Sequence, residues 1–276
     1  DRDGRSALLW VTSLTSDPGT VQVLVKGGAD VNLGDHEGMT ALMWTAMGGK
    51  TKLVRFLLDH GADTMARDGE GASPMHWAAV NGDVNIVRLL LAHDGSLSDR
   101  NRNGWSLLLQ AASEGHVELV KYLFAEKADI NARSNDGWTP LLRAAHEGFT
   151  DIVEFLAANG ADMAAKTNDG ESVLLSSVQG AGDIDVVRWL VDHGANVHDG
   201  DDDGWTPLMQ AAFNNYPEIV RFLVARGANV NSKSVTGRTA LQAAATRGLQ
   251  DIVTFLVDNG AEVNTGTDAR DVRSRP

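Results

Sequence analysis

The sequence predicts an all-α fold, a solenoid of helix-turn-helix units joined by short β-turn fingers. Three observations predict it: a glycine that recurs every 33 or 34 residues, a helix-start residue soon after each glycine, and two apolar helical stretches in every period. A fixed period of this length is the signature of repeat architectures. The equivalent glycines are Gly4, Gly38, Gly71, Gly104, Gly137, Gly170, Gly204 and Gly237.

The most complete copy runs from Asn135 to Asp162. It has a turn at Gly137, a Thr-Pro-Leu helix start at 139–141, an Ala-Ala pair at 144–145 and a Gly-Ala-Asp stop at 160–162. This pattern resembles the ankyrin repeat, and the resemblance covers residues 1 to about 264. It implies an ankyrin-repeat α-solenoid in which the turns project as fingers and the first helices line a concave face. In that family the second helices form the convex back, and partners dock on the fingers and the concave face.

The period divides the chain into eight repeats. Because each unit of a repeat protein touches only its neighbours, the 276 residues are expected to form one elongated domain over 1–264. The predicted repeats are about 1–34, 35–67, 68–100, 101–133, 134–166, 167–200, 201–233 and 234–264. Residues 265–276 are expected to form a polar, disordered tail.

The first repeat is predicted to be an atypical end unit, because the turn between its helices is altered. Pro18 suits the first position of the second helix, whereas Gly19 lowers the stability of that helix. Repeats two to five are the most regular. Their first helices are expected to begin at polar N-caps near Thr40, Ser73, Ser106 and Thr139, and their second helices carry Leu53-Val54, Ile86-Val87, Leu119-Val120 and Ile152-Val153.

Two regions depart from this regularity. The stops of repeats three and four carry Asp94 and Lys127 where neighbouring repeats have glycine, which predicts a local change in stacking. Repeat six has Ser176-Ser177-Val178 in the region of the alanine pair and an extra residue within Gln179-Gly180-Ala181-Gly182, which predicts a looser first helix. Those two glycines fall between helices rather than between a strand and a helix, so they indicate a widened turn and not a dinucleotide site.

The composition limits the function. A net charge of −13 repels a phosphate backbone, so nucleic acid is not expected as a partner. The absence of cysteine removes thiolate metal sites and cysteine nucleophiles and fits an intracellular protein. No apolar run is long enough to span a bilayer, so we expect a soluble protein without membrane insertion. The chain begins at Asp1, which suggests a part of a larger multidomain protein. We expect the isolated domain to be monomeric.

Tryptophans mark two periodic positions that the fold does not require. The residue after each finger glycine forms the first ladder: Arg5, Met39, Ala72, Trp105, Trp138, Glu171, Trp205 and Arg238. The position five residues further on forms the second ladder: Trp10, Trp44, Trp77, Gln110, Arg143, Ser176, Gln210 and Ala243. An indole combines a large apolar surface with one hydrogen-bond donor and is enriched at interface hot spots.

The two ladders have different interpretations. For Trp105, Trp138 and Trp205 we favour partner binding. For Trp10, Trp44 and Trp77 packing between repeats is the favoured interpretation and partner binding the alternative. Helical spacing places Arg143, His146 and Phe213 on the same side as these tryptophans, with Glu147 adjacent.

The charge of the partner stays open. Basic residues near the bases of the fingers would suit an acidic ligand, although structural contacts are the favoured interpretation of them. They are Arg67, Arg100, Arg133, Lys166 and Lys233. Acidic fingertips would instead attract a basic partner, and they are Glu37, Glu70, Asp136, Asp169 and Asp203.

One group of residues is a candidate for acid-base catalysis: His146 beside Glu147, with Glu114 one repeat earlier. A carboxylate-imidazole pair can transfer protons, but polar residues on a solvated face are the favoured interpretation. His76 and His116 are expected to make structural hydrogen bonds. The acidic run from Asp199 to Gly204 lacks the spacing of a calcium loop, and no metal or cofactor is expected.

Three functions follow from these patterns. The preferred hypothesis is a non-catalytic module that binds a peptide or protein. The alternative is a small-molecule-binding protein or enzyme with an aromatic pocket formed by Trp105, Trp138, His146, Glu147 and Phe213. A structural spacer is the third, and exposed tryptophans disfavour it, since apolar surface without a use is usually avoided.

Overall fold

The computed structural model describes residues 3–15 and 17–264. This part of the chain is helical and contains no β-strand, only two isolated bridges. The first helices of the repeats are α1 (Ala7–Leu14), α3 (Ala41–Met47), α5 (Pro74–Asn81), α7 (Leu107–Ser113), α9 (Pro140–Glu147), α11 (Val173–Gln179), α13 (Pro207–Asn214) and α15 (Ala240–Thr246). The second helices are α2 (Pro18–Lys26), α4 (Thr51–Asp59), α6 (Val84–Leu91), α8 (Val117–Ala125), α10 (Thr150–Ala158), α12 (Ile184–Asp192), α14 (Pro217–Ala225) and α16 (Gln250–Asp258).

The first helices begin where the sequence places their N-caps. Ser106 Oγ accepts the amide of Leu109 at 3.2 Å, and Thr206 Oγ1 accepts the amide of Met209 at 3.3 Å. These bonds satisfy amides that have no partner inside the helix. Pro18 begins α2, as predicted. The predicted helix-turn-helix fold is therefore confirmed, while the tail at 265–276 lies outside the described residues.

The chain divides into two compact units, and the division falls within the fifth repeat. The first unit comprises the residues up to Leu141 together with Ala158–Ala161, and the second comprises Leu142–Ala157 and the residues from Asp162 onward. The prediction of one continuous domain over 1–264 stays a prediction. No helix in the described ranges is long and apolar enough to cross a membrane.

Within each unit the helices stack by kind. In the first unit α1, α3, α5 and α7 pack in succession, and α2, α4, α6 and α8 pack in succession behind them. In the second unit α11, α13 and α15 form one layer, and α12, α14 and α16 form the other. The core between the layers is made of side chains such as Leu53, Leu57 and Leu90, which are fully buried.

The first helix of repeat six is not looser than the others. α11 has seven residues, as α3, α7 and α15 do, and all of them except Gln179 are buried. Its N-cap Ser172 accepts the amide of Leu175 at 3.2 Å. The expected loosening is therefore wrong, because Ser177 and Val178 are fully buried where other repeats place the alanine pair.

Backbone hydrogen bonds join each described finger pair within a unit. In the first unit the amides of Gly69 and Arg102 donate to the carbonyls of Glu37 and Glu70, at 2.6 and 2.9 Å. The same bond recurs from His36 to Asp3 and from Asn135 to Asn103, and in the second unit from Asp202 to Asp169 and from Val235 to Asp203. Each finger is therefore held in register by the one before it.

The stops of repeats three and four keep the geometry of the glycine-containing stops. Asp94 and Lys127 have φ of 69° and 71°, in the left-handed region that Gly61 also occupies at 82°. The hydrogen bond that closes the stop is also the same: the amide of Ala62 donates to the carbonyl of Leu57, and that of Ala128 to the carbonyl of Leu123, both at 3.0 Å. These stops therefore keep the local backbone of the glycine-containing stops, and the predicted change in stacking between repeats stays a prediction.

Replacing Lys127 with glycine is expected to stabilise the protein. A Cβ at the equivalent Gly61 or Gly160 would meet nothing within 4 Å, so the stop needs glycine for its conformation and not for space. A non-glycine residue in this conformation costs about 1 to 2 kcal/mol, partly offset by the flexibility that glycine adds to the unfolded chain. We expect Lys127→Gly to raise the free energy of unfolding in urea by about 0.5 to 1 kcal/mol.

Lys127→Ala is the matched control. It removes the same charge but keeps the Cβ, so it should not stabilise the protein. Equal gains from glycine and alanine would show that the lysine charge, and not its backbone conformation, limits stability here.

Candidate functional site

The predicted tryptophans lie between full exposure and full burial. Trp105, Trp138 and Trp205 are half-buried, as are Trp44 and Trp77, whereas Trp10 is 40% exposed. None of these rings is sealed in the core, and part of each remains at the surface. Trp189, in the second helix α12, is also half-buried and stacks on His193 with ring centroids 3.9 Å apart.

A polar side chain at the start of each finger positions the first-ladder residue. Asn101 Oδ1 accepts the amide of Trp105 at 3.0 Å, Ser134 Oγ accepts that of Trp138 at 3.0 Å, and Asp201 Oδ1 accepts that of Trp205 at 2.7 Å. The backbone also closes each loop, since the amide of Ser134 donates to the carbonyl of Trp138 at 2.9 Å. These short-range bonds fix where each indole leaves the chain.

In the first unit, Trp44 and Trp77 face a cleft of about 490 Å³ between repeats two and three. Trp77 Nε1 donates to Asp68 Oδ2 at 2.9 Å, which fixes the ring. The guanidinium of Arg5 lies 5.1 Å from the ring centroid of Trp44 and 3.9 Å from Asp35 Oδ2. Packing between repeats, the favoured interpretation of these two residues, thus coexists with an open cleft between them.

A buried polar network lies behind Trp105 in the same unit. His76 Nε2 donates to the carbonyl of Trp105 at 3.0 Å, and Arg67 pairs with Asp99 at 2.5 Å. Ser73 also donates to Asp99. Burial by itself raises the pKa of Asp99, but the hydrogen bonds from His76, Ser73 and Arg67 outweigh it and hold that pKa at about 2.

The grouping of serine, histidine and aspartate in this network is structural. Ser73, His76 and Asp99 are 0%, 2% and 6% exposed, so no substrate reaches the hydroxyl. The expected structural roles of two histidines are confirmed, since His116 Nε2 also donates to the carbonyl of Val80 at 2.8 Å.

Basic residues near the finger bases make structural contacts, as favoured from the sequence. Besides the pair of Arg67 with Asp99, Arg100 donates to the carbonyls of Gly104 and Arg133 at 2.9 and 2.8 Å. In the second unit Lys166 pairs with Asp199 at 3.0 Å. Three of the predicted cations therefore support neighbouring fingers.

In the second unit, an aromatic group surrounds Trp205. Its Nε1 donates to Gln210 Oε1 at 2.6 Å, which joins the two ladders within one repeat. The ring meets Phe213 edge to face with centroids 6.2 Å apart, and the guanidinium of Arg247 lies 4.9 Å from the centroid of Phe213. Arg247 was not predicted, because a cation one repeat away has no signal in the sequence of repeat seven.

His146, the candidate for acid-base chemistry, is half-buried next to the charged side chains of Arg143 and Glu147. Burial lowers the pKa of His146, and the nearby Arg143 lowers it further, so the ring is neutral at pH 7. Glu147 accepts from Arg143 at 2.8 Å. Glu114, in the first unit, accepts from Gln110 at 2.9 Å. Both carboxylates of the predicted grouping therefore have other partners.

Glu171 is the residue whose environment sequence reasoning missed. It stands in the first ladder, where repeats five and seven carry tryptophan, and it is only 8% exposed. Burial is the largest effect on the pKa of Glu171 and raises it. The hydroxyl of Ser176 and the charge of Arg143 lower this pKa, whereas the negative charges of Asp201 and Asp169 raise it. A glutamate inside a tryptophan ladder was the available signal.

The sequence profile described as "Ankyrin repeats (3 copies)" matches residues 8–101, 95–167 and 174–267. The chain belongs to the ankyrin repeat family. Ankyrin repeats generally mediate protein-protein interactions, and domains built from them are typically non-catalytic.

Individual proteins also resemble the chain. The crystal structure of the human ASB11 ankyrin repeat domain superposes with a TM-score of 0.73 at 23% identity, covering 82% of this chain and 99% of that one. This likeness shows the fold alone. The mouse protein named protein phosphatase 1 regulatory subunit 27 is 44% identical over 39 residues, which span 14% of this chain and 25% of the mouse protein.

Neutralising Glu171 is expected to stabilise the protein near neutral pH. A carboxyl whose pKa is raised by folding contributes stability below its ordinary value of 4.5, and that stability is lost as the pH rises through the folded pKa. Glu171→Gln should therefore have a higher Tm than the parent protein at pH 7, and the advantage should disappear below pH 4.5.

Glu154→Gln serves as the matched control, because it removes a carboxylate from an exposed position of α10. Its melting curve should follow the parent protein over the same pH range. A lower Tm for Glu171→Gln at pH 7 would mean that the charged form of Glu171 supports the fold, contrary to this account.

Proposed function

We propose that this ankyrin-repeat chain is a non-catalytic module that binds a peptide or protein on its fingers and first helices through tryptophans. Support comes from Trp105, Trp138 and Trp205, which are anchored at the backbone by finger side chains and still leave part of each indole at the surface. Large anchored aromatic side chains of this kind dominate binding at protein interfaces.

Each unit carries its own candidate contact residues. In the first unit they are Trp44, Trp77, Trp105 and Trp138. In the second unit they are Arg143, His146, Glu147, Trp205 and Phe213. The two sets share one chemistry, an indole or phenyl ring beside a hydrogen-bonded polar or charged side chain.

The fingers suit recognition because they are already ordered. Bonds such as those from Gly69 to Glu37 and from Arg102 to Glu70 fix neighbouring fingers before any partner arrives. A surface ordered in advance loses little conformational entropy on binding, so more of the contact energy appears as affinity.

The mouse relative supports the same reading at a coarse level. Its name describes a regulatory subunit, a protein that acts by assembling with another. The shared stretch is only 39 residues, so the general role of binding a protein, and not the phosphatase, enters the proposal for this chain.

The competing function, a small-molecule-binding protein or enzyme, has less support. It requires a pocket at Trp105, Trp138, His146, Glu147 and Phe213, whereas the cleft that holds two indoles lies between repeats two and three. The carboxylate that would assist His146 is paired with Arg143. We also propose an intracellular, monomeric module that does not bind nucleic acid, on the basis of its acidic, cysteine-free composition.

Replacing the three tryptophans of the first ladder with alanine is expected to weaken partner capture. The first test compares the parent protein with a Trp105→Ala, Trp138→Ala, Trp205→Ala variant in affinity capture from a native lysate. Once a partner is identified, each single substitution should weaken binding by about 1 to 3 kcal/mol, as truncation of an interface tryptophan does. Far-ultraviolet circular dichroism should show unchanged helical content, since none of the three rings is fully buried.

Trp189→Ala provides the matched control, because it removes an equally half-buried indole from a second helix. It should leave capture unchanged. Loss of helical content in the ladder variants would show that these rings belong to the core, and unchanged capture in a folded triple variant would refute the proposed surface.

A further inference from the structure

The cleft in the first unit combines two indoles with carboxylates. It has a volume of about 490 Å³, and its lining includes Trp44, Trp77 and Met39 together with the carboxylates of Glu37, Asp68 and Glu70. This volume is sufficient for a large side chain or a small ligand. An aromatic wall next to negative charge is the environment that favours a cation, because the face of an indole ring is electron-rich.

Within the described residues, no cation pairs with the two glutamates at the rim of the cleft. Glu37 and Glu70 are exposed, and neither carboxylate makes an ion pair or a side-chain hydrogen bond in the described residues. Asp68 accepts the amides of Glu70 and Ala72 and the indole N–H of Trp77. No lysine or arginine lines the cleft.

Contacts of the first repeat show that an indole next to a finger carboxylate can bind an arginine side chain. There Arg5 places its guanidinium 5.1 Å from the ring centroid of Trp44 and 3.9 Å from Asp35 Oδ2. Arg5 also lies 5.7 Å from the ring centroid of Trp10. The chain thus seats an arginine of its own against an indole and a finger carboxylate.

The next repeat has the same wall without the arginine. Trp77 and Asp68 lie 33 residues after Trp44 and Asp35, so they are the equivalent pair. The position of Arg5 is taken by Met39, which is neutral and buried. The second cleft therefore has the indole and the carboxylate but lacks the cation that the first repeat supplies.

We propose that this cleft receives the guanidinium of an arginine from a protein partner, stacked on the indoles of Trp44 and Trp77 and paired with Glu37 and Glu70. Arginine suits the cleft better than lysine because its planar group stacks on aromatic faces while its edge meets carboxylates. The inference rests on the proposed function, since it names the partner chemistry recognised by one part of that surface.

The test uses Nα-acetyl-arginine amide as the probe and the indole N–H resonances of the full chain as the readout. Trp44→Phe and Trp77→Phe assign the two signals. Titration should shift both indole signals, and the shifts should weaken as sodium chloride is added, because salt screens exposed charges. Nα-acetyl-citrulline amide, the neutral isostere, should cause much smaller shifts at the same concentrations.

Glu37→Gln combined with Glu70→Gln should raise the Kd for the arginine amide by about threefold to tenfold, the range expected when two exposed ion pairs are lost. Glu154→Gln combined with Glu218→Gln changes the net charge equally from exposed positions of second helices and should leave the Kd unchanged. Matching melting curves would establish that both double variants are folded.

Several results would overturn the inference: equal binding of the citrulline amide, no shift at Trp44 and Trp77, or the same Kd in both double variants. If these occur while the Trp105, Trp138 and Trp205 variant still loses partner capture, only the arginine cleft fails. If the arginine amide binds as expected but capture does not depend on tryptophan, the wider proposed surface fails instead.

Discussion

The hydrogen bond between successive fingertips is the constraint on which the rest of the structure depends. Within the first unit, Gly69 and Arg102 each donate an amide to the fingertip one repeat earlier, and Asp202 does so within the second. Each such bond contributes about 0.5 to 1.5 kcal/mol and forms in only one alignment, so it favours one register for each finger. That register brings residues about 33 positions apart next to each other and turns a sequence period into ladders of side chains.

The sequence was sufficient to predict the fold because each repeat is specified by residues that act on their near neighbours in the chain. Glycines with positive φ, N-caps such as Ser106 and prolines at helix starts all act within a few residues. It did not predict that Asp94 and Lys127 would adopt the glycine conformation, since the closing hydrogen bonds outweigh the conformational cost there. The expectation of a looser first helix in repeat six was also wrong, because Ser177 is fully buried at a position where other repeats have alanine.

The candidate site was predicted less completely, because its chemistry depends on contacts between repeats. Position along the chain identified Trp44 and Trp77 as ladder residues, but not the cleft between them. The same limit applies to Glu171, whose raised pKa comes from burial and neighbouring carboxylates. Arg5 is the most informative case, since its role became clear only beside the Asp35 and Trp44 of the following repeat.

The most direct measurement of the central claim is residue-resolved hydrogen exchange by NMR on the free protein. If fingertip bonds hold the surface in one arrangement, the amides of Gly69, Arg102 and Asn135 should exchange far more slowly than those of an unstructured peptide. They should also keep that protection without any partner. Exchange at the rate of an unstructured chain would show that the fingers are not ordered in advance, and would contradict the account.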